Sequence, residues 1–308
     1  MQRTGGAGSA HVLDPVNLVL TLLFDGIAYG MLLFVLSLGL AVTMGLMNFI
    51  NLAHGAFAMA GGYVLVILMR AHDWPFLACL PAAFVITAAL GALLERTLYR
   101  RLYDRPHLDQ VLFSIGLTFM AVAAVDFAFG SQQLNVQTPE WLRGRIEIGS
   151  GAWTLGMGHY RLFIIAACLA LAAGLQLVLA RTRFGSRLRA AVDDPRVAAG
   201  LGIPVDRVFL LTFAVGSGLA GLGGAMGVDI LGLDPSFPFK FMVYFLIVCA
   251  VGGTSSITGP LVAALVLGIA DVMGKYYVPK LGAFIVYVLM IAILLWRPQG
   301  LFSRGGSK

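Results

Sequence analysis

Charge is the scarcest commodity in this sequence. Asp, Glu, Lys and Arg make up 12% of its 308 residues, about half of the roughly 25% usual in soluble domains. So few charges cannot cover the surface of a water-soluble protein of this size, which excludes a soluble globular enzyme and a disordered chain. Cysteine is also sparse. Cys79, Cys168 and Cys249 all lie in apolar stretches without metal-site spacing, so neither a disulfide scaffold nor a metal centre is expected. No G-x-x-x-x-G-K-[ST] phosphate loop is present; Gly274-Lys275 is followed by Tyr276. Any use of ATP must come from another chain, and no cofactor is expected on this one. Arg3 is the only early cation and no small-residue cleavage site follows it, so the first apolar segment is expected to be retained. Neither a short repeat nor a low-complexity tract occurs.

What the chain has in abundance is apolar surface. Hydrophobic residues reach 59% and the mean hydropathy is +0.89. The apolar runs are long, as at 261–270 and 284–296, rather than alternating as in a membrane β-barrel. The expected class is all-α, a polytopic helical membrane protein forming one domain over 1–308. Apolar segments fall at 16–46, 49–69, 76–98, 111–130, 162–180, 208–231, 239–251, 257–276 and 281–296. They give about nine spans, with eight or ten open, because the first is long enough to be one span or a tight pair and the seventh is short. Gly and Pro interruptions, such as Gly252-Gly253 and Gly259-Pro260, point to discontinuous helices.

The net charge of +6 is read as topology, not as nucleic-acid binding. With nine spans, connections 95–107, 181–207 and 297–308 share one side and hold 13 Lys and Arg, against 7 on the other. That bias places the C-terminus in the cytoplasm and the long 131–161 loop outside.

Four groups of residues stand out. The 181–207 connection is the only soluble surface large enough to receive a cytosolic partner. Within it, Leu188 and Val192 at i, i+4 suit a short amphipathic helix over 187–192. Asp193 or Asp194 can cap a second helix with Pro195 at its first position, Ala198, Ala199 and Leu201 as its apolar patch, and Gly200 and Gly202 at its end. Such a knob suits a partner's groove; the alternative is a basic connector that only fixes topology. Next, Asn48, Asn51 and His54 recur at i, i+3, as if on one helix face, with Gly55 following. They line a pathway or brace the bundle by interhelical hydrogen bonds. Third, Asp25, Asp126, Asp229 and Asp271 lie in or near apolar segments, with no Lys or Arg mid-span to pair with them; an intramembrane carboxylate is a functional hypothesis by default. Last, Gly216, Gly218, Gly221, Gly223, Gly224 and Gly227 are small residues at the spacing that lets helix backbones approach. Ser217 among them lacks a credible base for intramembrane catalysis.

Read together, the motifs form an ordered set. Asn48–Gly55 as N-x-x-N-x-A-H-G is followed by Gly61-Gly62-Tyr63, then Glu95-Arg96 with Tyr99-Arg100. Arg181-Thr-Arg-Phe-Gly, Arg189-Ala-Ala-Val-Asp-Asp and Gly200-Leu-Gly-Ile203 come next. Thr212-Phe213, Ala220-Gly221, then Gly252-Gly253 with Ser256 and Gly259, and finally Arg297-Pro-Gln-Gly-Leu-Phe302 complete it. From Phe24 to Phe302 this order resembles the inner-membrane permease subunits of branched-chain amino-acid ABC importers. The resemblance implies an ABC importer permease fold in the bacterial inner membrane. It implies a path formed with a second permease, related or identical, two cytosolic ABC ATPases carrying ATP-Mg, and a periplasmic substrate-binding protein. The role of coupling to the ATPases then falls on Arg187, Arg189, Ala190, Ala191, Asp193, Asp194, Pro195, Ala198, Ala199 and Gly200. Asn48, Asn51, His54 and Gly55 become candidates for the path or the subunit interface. Val251, Thr254-Ser255 and Asp25 depart from the family's usual residues, which leaves urea, amides and aromatic acids as alternative cargo. The rival class is a proton- or sodium-coupled secondary transporter using the membrane aspartates.

Overall fold

A computed structural model describes residues 15–47, 49–103, 105–136, 138–148, 155–253 and 256–302. Its helices are α1 (Pro15–Met47), α2 (His54–Ala71), α3 (Phe76–Thr97), α4 (His107–Phe129), α5 (His159–Arg181), α6 (Arg183–Asp193), α7 (Pro195–Gly200), α8 (Val205–Leu231), α9 (Phe237–Gly252), α10 (Thr258–Tyr277) and α11 (Gly282–Trp296). An antiparallel hairpin, β1 (Arg145–Ile148) and β2 (Leu155–Gly158), is the only sheet among the described residues. Seven helices, α1 to α5, α8 and α10, are long and apolar enough to cross a membrane, and α9 and α11 are shorter apolar helices. Each of the nine apolar segments is therefore a helix. The long first segment is one continuous helix, not a tight pair, since nothing in 15–47 breaks the backbone ladder.

Helix α8 lies at the centre, packed by α1, α2 and α3. Its glycines make that possible. Gly216 sits against Gly39 of α1, Gly221 against Thr87 of α3 and Gly61 of α2, and Gly224 against the Ala58 backbone of α2. A Cβ at Gly61 or Gly224 would overlap a carbonyl oxygen of the facing helix, so the sequence buys backbone approach in place of side-chain volume. Ser217 is buried against Gly91 of α3.

The basic connections gather at one end of the bundle. Arg100, after α3, pairs with Asp206 at the start of α8. The Leu301 amide donates to the Val251 carbonyl (2.7 Å), folding the C-terminal motif onto the Gly252-Gly253 turn. There Gly253 and Gly300 adopt φ of 78° and 85°, which favours glycine at both. The opposite end is tied by Arg161 to Asp25, Arg70 to the Asn135 carbonyl, and Lys240 to Asp234.

Candidate functional site

The 181–207 connection folds into two short helices with a core of its own. Thr182 caps α6 by accepting from the Gly185 amide (3.3 Å). Asp194, rather than Asp193, caps α7, its Oδ1 accepting from the amides of Arg196 (2.9 Å) and Val197 (3.0 Å), with Pro195 at the first helical position. Gly202 at φ 81° ends the turn. Leu188, Ala191, Ala198 and Val208 are buried together, with Leu179, Phe184, Ala190, Val192 and Ile203 packed around them. Two small helices could not hold a fixed shape in water without such a centre.

This core divides the expected contact residues. Ala191 and Ala198 are interior, and Ala190 is half-buried, so they shape the knob and do not present themselves to a partner. The expected Ala198–Ala199–Leu201 patch is thus corrected: Ala198 points inward. Val197 (58% exposed) and Leu201 (76%) form the outward apolar surface with Ala199, Pro195 and Gly200. Val197 was not singled out by the sequence, although it stands one residue from the buried Ala198 and so on the other side of the helix. Arg187 and Asp193 are exposed beside this surface. Arg189 instead donates to the Leu179 carbonyl at the end of α5, locking α6 to the membrane helix before it. A cavity of about 500 Å³ opens beside this lock, lined by Leu38 and Val42 of α1, Leu188 and Arg189 of α6, Thr258 of α10, and Phe302.

The second candidate group departs from expectation. Helix α1 stops at Met47 and α2 starts at His54, so Asn51 and His54 do not share one helix face; Asn48 lies outside the described residues. Residues 49–53 are non-helical backbone, yet Phe49, Asn51 and Ala53 are each 1% exposed. Backbone buried without a helix or sheet must find other partners. It finds them in side chains of α4 and in Asn51 itself. The Ile50 amide donates to Gln110 Oε1 (3.4 Å), the Leu52 amide to Ser114 Oγ (3.1 Å) and the Ala53 amide to Asn51 Oδ1 (3.1 Å). Gln110 Nε2 also reaches the Leu102 and Arg105 carbonyls, fixing the α3–α4 turn to the same place. The sequence reading missed Gln110 and Ser114. Their signal was a polar i, i+4, i+8 stripe, Gln110, Ser114 and Thr118, on a largely apolar helix, and all three are buried.

Two of the sequence blocks meet here. The Tyr99 hydroxyl donates to Asn51 Oδ1 (3.0 Å), and Tyr99 packs on Phe49, Phe113 and Phe213. Burial pushes the Tyr99 phenol up from its ordinary range, so it stays a protonated donor, the Asn51 bond opposing this only in part. Tyr103 is likewise pushed up by burial and by Glu95, to which it donates (2.9 Å). His54, 2% exposed, hydrogen-bonds the Leu36 carbonyl through Nε2 (2.8 Å), and Gly55 lets Pro238 of α9 approach. Both therefore sit inside the subunit, joining the start of α2 to α1 and α9.

The membrane aspartates have partners. Span ends supply the cations that mid-span positions lack: Arg161 pairs with Asp25, and Lys275 with the buried Asp271 (2.6 Å), which also accepts from the Tyr244 hydroxyl (3.3 Å). Asp126 accepts from Ser131 (2.6 Å) and Asp229 from Thr138 (3.4 Å). No cluster of three metal-ligating side chains occurs among the described residues.

The family described as the permease component of branched-chain amino acid transport systems matches residues 22–294. The high-affinity branched-chain amino acid transport system permease protein BraD of Pseudomonas aeruginosa is 26% identical, covering 92% of this chain and 95% of its own length. LivH of Escherichia coli K12, a permease protein of the same kind of system, is 28% identical over 92% and 94%. LivM of the same organism is 25% identical over 88% of this chain and 68% of its own. No solved structure matches. A match over residues 22–294, on a bundle of apolar helices, places the chain in the permease family of branched-chain amino acid transport systems.

Proposed function

We propose that this protein is a membrane subunit of an ATP-driven importer, carrying small branched-chain amino acids such as leucine, isoleucine and valine across a bacterial inner membrane. The family supports the transport role. The observation that carries the ATP-driven reading is the knob of α6 and α7. It is pre-folded around its own core, locked to α5 through Arg189, and presents Val197, Ala199 and Leu201 to the basic end. A rigid apolar projection with a charged rim is what transmission of force from another protein requires. Two cytosolic ATPases are the proposed partners there. The Lys and Arg bias supports a cytoplasmic position for that end and the C-terminus. Likeness to both LivH and LivM supports pairing with a second, related permease. A periplasmic binding protein delivers the solute at the other end. The pairing of Asp25 with Arg161 and of Asp271 with Lys275 gives no support to an ion-coupled mechanism.

Co-purification from native membrane in mild detergent, with mass spectrometry, tests this. Recovery of two ATPase chains and a second permease is expected. Recovery of this chain alone, with uptake that collapses when the proton or sodium gradient is removed, would overturn it.

A further inference from the structure

Gly61-Gly62-Tyr63 belongs to the motif set, and its tyrosine takes no part in the knob or in the 49–53 crossing. Gly61 and Gly62 admit α8 and Leu233 against α2. Tyr63 is 3% exposed, and its hydroxyl is the one buried side-chain polar atom without a hydrogen-bond partner among the described residues. A buried phenol left unpaired costs roughly 1–3 kcal/mol, and phenylalanine at this position would avoid the cost. No contact within the described residues accounts for the hydroxyl.

Phe129, whose ring packs on Tyr63, lies one helical turn after Asp126 on α4, and Leu233, which packs against Gly62, immediately precedes Asp234, so both carboxylates border this corner. Asp126 is exposed. Asp234 is held below the usual carboxylate range: burial raises it, but bonds from Lys240 and Ser236 outweigh that. It is thus charged at neutral pH. The Phe129 ring covers Tyr63 at 4.9 Å between centroids and is itself 43% exposed, as a lid would be. The stretch behind it is strapped down by the Leu134 amide on the Leu233 carbonyl (2.7 Å) and by Arg70 on the Asn135 carbonyl. Gly130 (φ 78°) and Gly232 (φ 72°) flank the strap at positions that favour glycine. The lid belongs to α4, most of whose surface is exposed.

We propose that Tyr63, Asp126 and Asp234 form a site at the outer end that receives the ammonium group of an α-amino acid, with Phe129 as its lid. The ammonium donates to the Tyr63 oxygen and to the Asp126 carboxylate, which also accepts from Ser131 (2.6 Å), the Asp234–Lys240 pair borders the site, and an apolar side chain packs on Phe129 and Leu233. The proposal rests on the amino-acid import reading and adds residues that select the cargo within the membrane subunit.

The test is leucine uptake by the complete importer in proteoliposomes, measured together with ATP hydrolysis stimulated by loaded binding protein. Tyr63→Phe and Asp126→Asn should each lower uptake roughly tenfold, the loss expected for one hydrogen bond to a charged group, while stimulated ATP hydrolysis is kept. ATP consumed per solute then rises. Tyr63→Phe should melt no lower than the parent chain, since it removes an unpaired hydroxyl. Asp126 is exposed, so its variant folds and serves as the independent check. Wild-type uptake per ATP in both variants would overturn the site. A parent complex that moves no amino acid would overturn the function proposed above, and the ligand with it.

Discussion

Replacing Asn51 by leucine, which has the same number and branching of side-chain heavy atoms, should be far more damaging than its location in a connection suggests. Asn51 Oδ1 accepts two buried donors, the Tyr99 hydroxyl at 3.0 Å and the Ala53 amide at 3.1 Å. Asn51→Leu leaves both without an acceptor. At about 1–3 kcal/mol per stranded buried donor, the cost is about 2–6 kcal/mol. Tyr99→Phe removes one donor and leaves Asn51 bonded to Ala53, so its cost is about 1 kcal/mol. The double variant strands only the Ala53 amide and should be more stable than Asn51→Leu alone by about 1–3 kcal/mol. Denaturant unfolding of the purified protein in detergent, run as a double-mutant cycle, gives all three numbers. If the two single changes cost the same, or their effects add, Asn51 does not hold the 49–53 crossing and the account of that stretch is wrong.

Three other outcomes are expected. Ala199→Glu, on the exposed face of the knob, should leave the melting temperature unchanged and abolish ATPase association in a pull-down, whereas Ala191→Glu should disrupt the knob itself by burying a charge in its core; retained association in Ala199→Glu would move the docking surface elsewhere. Gly224→Ala, which drives a methyl into the Ala58 carbonyl, should lower stability by about 1–3 kcal/mol, whereas Gly174→Ala, with open space around it, should raise stability by up to about 1 kcal/mol; thermal melts of the two variants decide it. Because Asp234 is held below its usual value of 3.8, its ion pair contributes full stability above that pH and loses it as pH falls through the depressed value. Acid titration of the melting temperature should therefore bring the parent chain and Asp234→Asn together only below about pH 4.

Much of the architecture was legible because membrane helices announce themselves by length and apolar composition. The knob was legible too, since Asp194-Pro195 is a local capping signal whose chemistry needs no distant partner. The glycines of α8 read correctly for a related reason: their spacing already states how closely a neighbour can come. What stayed hidden was decided by contacts distant in sequence. Asn48, Asn51 and His54 carry a helical spacing, but Gln110 and Ser114, some sixty residues on, offer the 50–52 backbone partners that a helix would not need. Likewise Asp25 looked unpaired until α5 brought Arg161 beside it. The inward turn of Ala198 depends on Val208 and Leu188 arriving from two other helices.

The crossing at 49–53 also has a consequence for biogenesis. Its amide protons wait for acceptors that lie 60 and 62 residues further along the chain. At ribosomal rates of about 5–20 residues per second, that delay is roughly 3–12 s. Through that interval the Ile50 and Leu52 amides have no protein acceptor, and water must serve in its place. The packed form of this crossing therefore waits until α4 emerges. Maturation of the N-terminal third is timed by the fourth helix rather than by the first two.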